Sequence, residues 1–142
     1  MRVLLDTHML IWILNGYEHL IENREFMDLY MNEIDDIYFS AISIWEIELK
    51  KMIGKANFTY DGREIYHAAL DSNMTPLSLF PKNSLRLEEV KLPHKDPFDR
   101  MLLAQAMDND LVLLTHDSKF IHSGRCLRNH HRALSLPCRT QE

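Results

Sequence analysis

Residues 96–115 read DPFDRMLLAQAMDNDLVLLT, and this stretch decides the fold class. Asp96 followed by Pro97 is a helix start, an N-cap acid and then a residue whose fixed φ suits the first turn. Met101, Leu102, Leu103, Ala104 and Ala106 carry the helix on to Asn109. Leu111–Leu114 is then an unbroken apolar run, the pattern of a strand covered on both faces.

The same alternation runs back to the N-terminus. Arg2–Leu5 reads as a strand ended by Asp6, and Leu10, Ile11, Ile13 and Leu14 fall at helical spacing before Asn15-Gly16. Residues 18–33 form a second helical stretch. Ile37–Phe39 is a β-branched and aromatic strand ending at Ser40, and residues 42–52 form a helix closed near Gly54 with Lys50 and Lys51 in its last turn. Helix over 62–72, a short strand over 74–79 despite Pro76, and helix over 85–90 complete the pattern. Strands alternating with helices define an α/β fold on a mainly parallel sheet, covered by helices on both faces. Trp12 and Trp45 are expected in the core.

A chain of 142 residues with 46% apolar and 26% charged residues is one domain, not two. It buries roughly two-thirds of its unfolded surface and needs no staples. Cys126 and Cys138 form no CxxC pair, so neither zinc nor a disulfide framework is indicated and a reducing, cytoplasmic setting is expected. Asp6 and His8 interrupt the first apolar run, so Met1–Leu14 reads as folded domain rather than an export signal, and no membrane association is expected. The net charge of −5 is uneven: residues 119–142 carry +4, leaving −9 for residues 1–118. Such an acidic body does not bind phosphate backbones in general, but it accommodates a metal-recruiting site.

In open parallel sheets ligands bind beyond the carboxyl ends of the strands. Acids cluster at those positions: Asp6 ends the first strand, Glu46 lies one turn into the helix after the second, Asp96 and Asp99 open the helix before the last, and Asp117 follows it. Converging carboxylates repel unless a cation sits among them, and oxygen-only ligands select Mg²⁺ or Mn²⁺ over zinc. Each acid also has a plainer reading. Asp6 and Asp96 suit helix caps, Asp99 favours a helix dipole, Asp117 suits a turn, and Glu46 at period 3.6 has a solvent-facing alternative. His8, His94 and His116 lie near these acids, but no HxxxH or HExxH spacing makes them ligands. Lys50, Lys51 and Lys55 read as a solvated helix end.

Four blocks in order, Leu4-Leu5-Asp6-Thr7-His8, Ile42-Ser43-Ile44-Trp45-Glu46-Ile47, His94-Lys95-Asp96-Pro97-Phe98-Asp99-Arg100 with the helix that follows, and Leu113-Leu114-Thr115-His116-Asp117, resemble the PIN-domain family. The third block resembles its VapC-type toxins of type II toxin–antitoxin pairs. The resemblance implies a three-layer α/β/α sandwich and a Mg²⁺- or Mn²⁺-dependent endoribonuclease acting on single-stranded RNA. It maps the metal-binding and catalytic acids onto Asp6, Glu46, Asp99 and Asp117, with Asp96 an accessory and Thr7, Ser43 and Thr115 as polar residues flanking the site. It also implies a small cognate antitoxin and a homodimer.

The likeness spans about residues 1–120, a PIN-like domain, and leaves 121–142 as a basic tail. No C-terminal strand is recognisable after Phe120, and Pro81-Lys82-Asn83 departs from the family pattern. The tail is expected to be a solvated end, or else to draw RNA to the acidic rim through Arg125, Arg128 and Arg132. Two rival readings stand beside the nuclease. Haloacid dehalogenase-like phosphatase chemistry needs Asp-x-Asp, where this chain has His8; the other rival is a catalytically inactive PIN-fold binding module.

Overall fold

A computed structural model of the chain describes residues 1–90 and 96–115, together with the backbone of 133–135. Among the described residues the elements follow one another as β1 (Arg2–Leu5), α1 (Thr7–Leu14), α2 (Glu18–Ile21), α3 (Arg24–Asn32), β2 (Asp36–Ser40), α4 (Ala41–Met52), α5 (Gly62–Asp71), β3 (Thr75–Leu77), α6 (Pro81–Ser84), a 3₁₀ turn (Leu87–Glu89), α7 (Pro97–Asp108), β4 (Val112–Thr115) and β5 (Ala133–Ser135). All strand pairs are parallel, in the order β3-β2-β1-β4-β5. The chain builds outward from β1 to one edge, then crosses back to lay β4 on the other side of β1. The carboxyl ends of β1 and β4 therefore form the topological switch point, where an open α/β sheet has its crevice.

β1 is buried along Val3, Leu4 and Leu5, and its side chains alternate between two cores. Val3 and Leu5, with Leu114, pack among Met9 and Leu10 of α1, Phe26 of α3, and Ile65 and Ala69 of α5. Leu4 and Leu113 face the opposite way, against Leu102, Leu103 and Ala106 of α7 and Ile42 of α4. Helices thus cover both faces of the sheet, the three-layer α/β sandwich that the apolar strands require.

Local chemistry sets the element ends and corrects the sequence reading in four places. Residues 18–33 are two helices, because Asn23 starts α3 afresh by accepting a hydrogen bond from Phe26 N–H (3.1 Å). The strand expected over 74–79 is confined to β3 at a sheet edge, where Pro76 forfeits no essential ladder bond. The helix expected over 85–90 is replaced by α6 and the 3₁₀ turn. Beyond Phe120, β5 extends the sheet from β4, with Leu113 opposite Ala133 and Thr115 opposite Ser135.

Two buried polar groups lock α7 to the rest. Gln105 takes a short hydrogen bond from the Ser40 hydroxyl and donates through Nε2 to the Ser78 carbonyl (3.2 Å), while Ser40 also caps α4 by accepting from Ile42 N–H (2.9 Å). Asn83, in the unusual Pro81-Lys82-Asn83 segment, accepts from Phe80 N–H (2.8 Å) and donates to Asp108 (2.6 Å), which also receives Arg86 Nε at 2.7 Å. Burial raises the Asp108 carboxyl, but the Asn83 and Arg86 contacts outweigh it and hold the group below the ordinary carboxylate range.

Asn83→Ala is expected to destabilise the fold by about 1–3 kcal/mol in urea unfolding, since it orphans a buried N–H and a carboxylate oxygen. A carboxyl depressed in the folded state contributes stability above its unfolded pKa and loses it as pH falls through the folded value. The gap between wild type and Asp108→Asn should therefore be full at pH 7 and shrink below about pH 4; a gap independent of pH contradicts the network.

Candidate active site

Asp6 ends β1, with its backbone N–H bonded to the Leu114 carbonyl of β4 at 3.0 Å. Its side chain is 4% exposed. One carboxylate oxygen accepts from Met9 N–H (2.7 Å), capping α1, and the other takes a short hydrogen bond from the Thr115 hydroxyl at the end of β4. The capping reading of Asp6 and its placement at the sheet's switch point are both met by the same residue.

The next residue, Thr7, joins this strand end to α4. Its hydroxyl bonds the Ser43 hydroxyl at 3.0 Å and also reaches the Glu46 carboxylate. Glu46 is 5% exposed and faces inward, so the solvent-facing alternative for it is excluded. Burial pushes its carboxyl above the ordinary range, and the negative charge of Asp96 adds to that. Lys50, one turn along α4 with Nζ at 3.2 Å, and Thr7 pull it only partly back. Lys50 is thus a partner of the site rather than part of a solvated helix end, while Lys51 turns away to pair with Asp61.

Asp96 and Asp99 enter from α7. Asp96 caps the helix, accepting from Phe98 N–H (2.9 Å) and Asp99 N–H (3.2 Å), and its backbone carbonyl takes Arg100 N–H. Arg100 in turn donates to the Val90 carbonyl at 3.0 Å. Phe98 packs its ring against Trp45 of α4, with centroids 5.2 Å apart and planes at 64°. Trp45 is 58% exposed and so is not the core residue its sequence context suggests. Trp12 is half-buried against the core, stacked on Tyr17.

The described residues thus place Asp6, Thr7, Ser43, Glu46 and Thr115 along one hydrogen-bonded wall, with Asp96 close enough to act on Glu46. Among these residues no three acids, histidines or cysteines gather tightly enough to ligate one ion. Asp117, His94, His116, Arg125, Arg128 and Arg132 lie outside the described residues. His8 is exposed beside Trp12. The side-chain donors that are described are carboxylate and hydroxyl oxygens, a set that suits a hard divalent cation. Lys50 was the member of the site missed from sequence; its i,i+4 spacing from Glu46 was the available signal.

Fold and site together define an open α/β protein with buried acids at its switch point. Over residues 3–125 the chain matches the PIN domain family, and it belongs to that family. No curated protein matches it in sequence. Among solved structures it is similar to VapBC2 from Rickettsia felis bound to a promoter DNA fragment (TM-score 0.61, 16% identity, covering 95% of this chain and 98% of that chain). It is also similar to DNA-bound VapBC from Salmonella typhimurium (0.58, 18%, 95% and 98%) and to a toxin-antitoxin complex from Klebsiella pneumoniae (0.53, 20%, 94% and 99%). Among the described residues no helix is long and apolar enough to cross a membrane.

A carboxyl whose folded pKa is raised weakens the fold once ionised: stability falls as pH rises from its unfolded value through the folded one. In EDTA, Glu46→Gln is therefore expected to melt above wild type at pH 7, the advantage fading below about pH 4.5. A variant less stable than wild type at pH 7 contradicts the electrostatic account of Glu46.

Proposed function

We propose that this PIN-domain protein is a Mg²⁺- or Mn²⁺-dependent endoribonuclease that cleaves single-stranded RNA in the cytoplasm, the toxin of a toxin–antitoxin pair. The observation that carries the reading is the burial of Asp6 and Glu46, bridged through Thr7, at the junction of β1 and β4. Of the two carboxylates kept from solvent, Glu46 is raised by its surroundings, so its charge is unfavourable for folding alone and useful to a cation.

Asp6, Glu46, Asp99 and Asp117 would hold the ion, with Asp96 as an accessory. When bound, the ion supplies Lewis-acid polarisation of the scissile phosphate and activation of water. The chain's own groups orient the reaction. Thr115 and Met9 N–H fix the Asp6 carboxylate, and Thr7, itself bonded to Ser43, orients Glu46. Either Glu46 or Asp99 takes the water's proton as general base. A site at the strand ends admits unstacked nucleotides more readily than a duplex. Arg125, Arg128 and Arg132 of the basic tail draw the strand toward a body that would otherwise repel it. The VapBC and toxin-antitoxin assemblies that share the fold support a small antitoxin as partner, and a homodimer is part of the same reading.

The Lys50–Glu46 ion pair favours a second reading, an inactive PIN-fold binding module in which the ammonium satisfies the acid permanently. Cleavage assays separate the two. Wild type is expected to cut single-stranded RNA in Mg²⁺ or Mn²⁺ and not in EDTA. Asp6→Asn, Glu46→Gln, Asp99→Asn and Asp117→Asn should each lose about a hundredfold or more in rate, ~2.7 kcal/mol of barrier. Absence of metal-dependent cleavage on a panel of structured and unstructured RNAs would favour the binding module.

A further inference from the structure

We propose that Trp45 and Phe98 form a base-stacking platform at the mouth of the acidic site, seating one unstacked RNA base beside the phosphate to be cut. The proposal deepens the ribonuclease reading and rests on it. Trp45 immediately precedes Glu46 on α4, and Phe98 lies between Asp96 and Asp99 on α7, so the two rings sit at the point where both acid-bearing helices meet. Phe98 braces the indole edge-on, while 58% of Trp45 stays open to solvent. An exposed tryptophan packed against a second ring has the form of a stacking surface, since every base offers a π-face.

Charge points the same way. Residues 1–118 carry a net −9, so this face gains little from phosphate contacts, and stacking is a means of holding a nucleotide that does not depend on charge. The exposed Met52 lies farther along α4 and makes a protein surface the competing occupant. A nucleotide seated here would set its base on the rings and its phosphate toward the neighbouring acids, and a protein segment, an antitoxin included, would compete with it for the same ground.

The test uses the full-length protein and a short single-stranded RNA cut by wild type. Trp45→Ala is expected to raise KM about tenfold, ~1.4 kcal/mol, with kcat within about threefold, and Trp45→Phe should recover most of the loss. With a substrate carrying an abasic residue at the seated position, wild type and Trp45→Ala should become equal. A KM unchanged in Trp45→Ala, or a penalty that persists on the abasic strand, overturns the platform while leaving the nuclease intact. Binding is read independently of cleavage in a Trp12→Phe background, where Trp45 is the only tryptophan. Oligouridine or oligoadenosine in EDTA should quench its emission, and an abasic strand of equal length should not. Emission indifferent to RNA, or dependent on protein concentration without RNA as in self-association, also overturns it. Quenching without metal-dependent cleavage would support the platform and count against the ribonuclease reading.

Discussion

Everything in this fold passes through the carboxylate of Asp6. It sits where the central strand ends, one oxygen holding the first turn of α1 and the other holding the hydroxyl that ends β4. A buried carboxylate is tolerated only when it is hydrogen-bonded, and here a backbone N–H serves one oxygen and a hydroxyl the other. The contacts that make the charge tolerable are also the ones that stitch the two strands of the switch point together. Removing it disturbs helix start, strand end and site at once, and so its role in folding and its proposed role in the reaction share the same hydrogen bonds.

Glu46 shows the complementary balance. Its carboxyl is pushed up by burial and by Asp96, and Lys50 offsets only part of this. The Lys50–Glu46 pair lies largely out of water, where an unpaired charge is costly, so a divalent cation must replace the ammonium's charge to take Glu46 over. Under the nuclease reading the ammonium would swing toward solvent or toward a phosphate oxygen when the ion arrives. Lys50 Nζ already lies 5.7 Å from the centre of the Phe58 ring, a second resting place for the ammonium.

Much of this was legible in the sequence because it is written in local chemistry. The continuous apolar runs Val3–Leu5 and Leu111–Leu114 announce strands covered on both faces, and Asp6 and Asp96 announce the helices that follow. What was hidden depends on contacts distant in the chain. The Asn83–Asp108 bond spans 25 residues and looks like an odd loop until α7 is laid beside it. Glu46 turns inward toward Thr7, a partner distant in the chain that periodicity alone does not reveal. Trp45 looks like core by composition, and only the crossing of α4 with α7 leaves it outside. The strand Ala133–Ser135 is three residues long in a basic stretch of sequence without an apolar period, and its pairing is dictated by β4 rather than by its own sequence.

The central claim is that the acids contributed by β1, α4 and α7 serve one cation. Electron paramagnetic resonance of Mn²⁺ titrated into the protein tests it most directly, since bound and free Mn²⁺ give separable signals. The account predicts stoichiometric binding by wild type, weakened about tenfold or more by each of Asp6→Asn, Glu46→Gln and Asp99→Asn, a shift of at least ~1.4 kcal/mol. Binding that is unchanged across all three variants, or no binding by wild type at millimolar Mn²⁺, would contradict it.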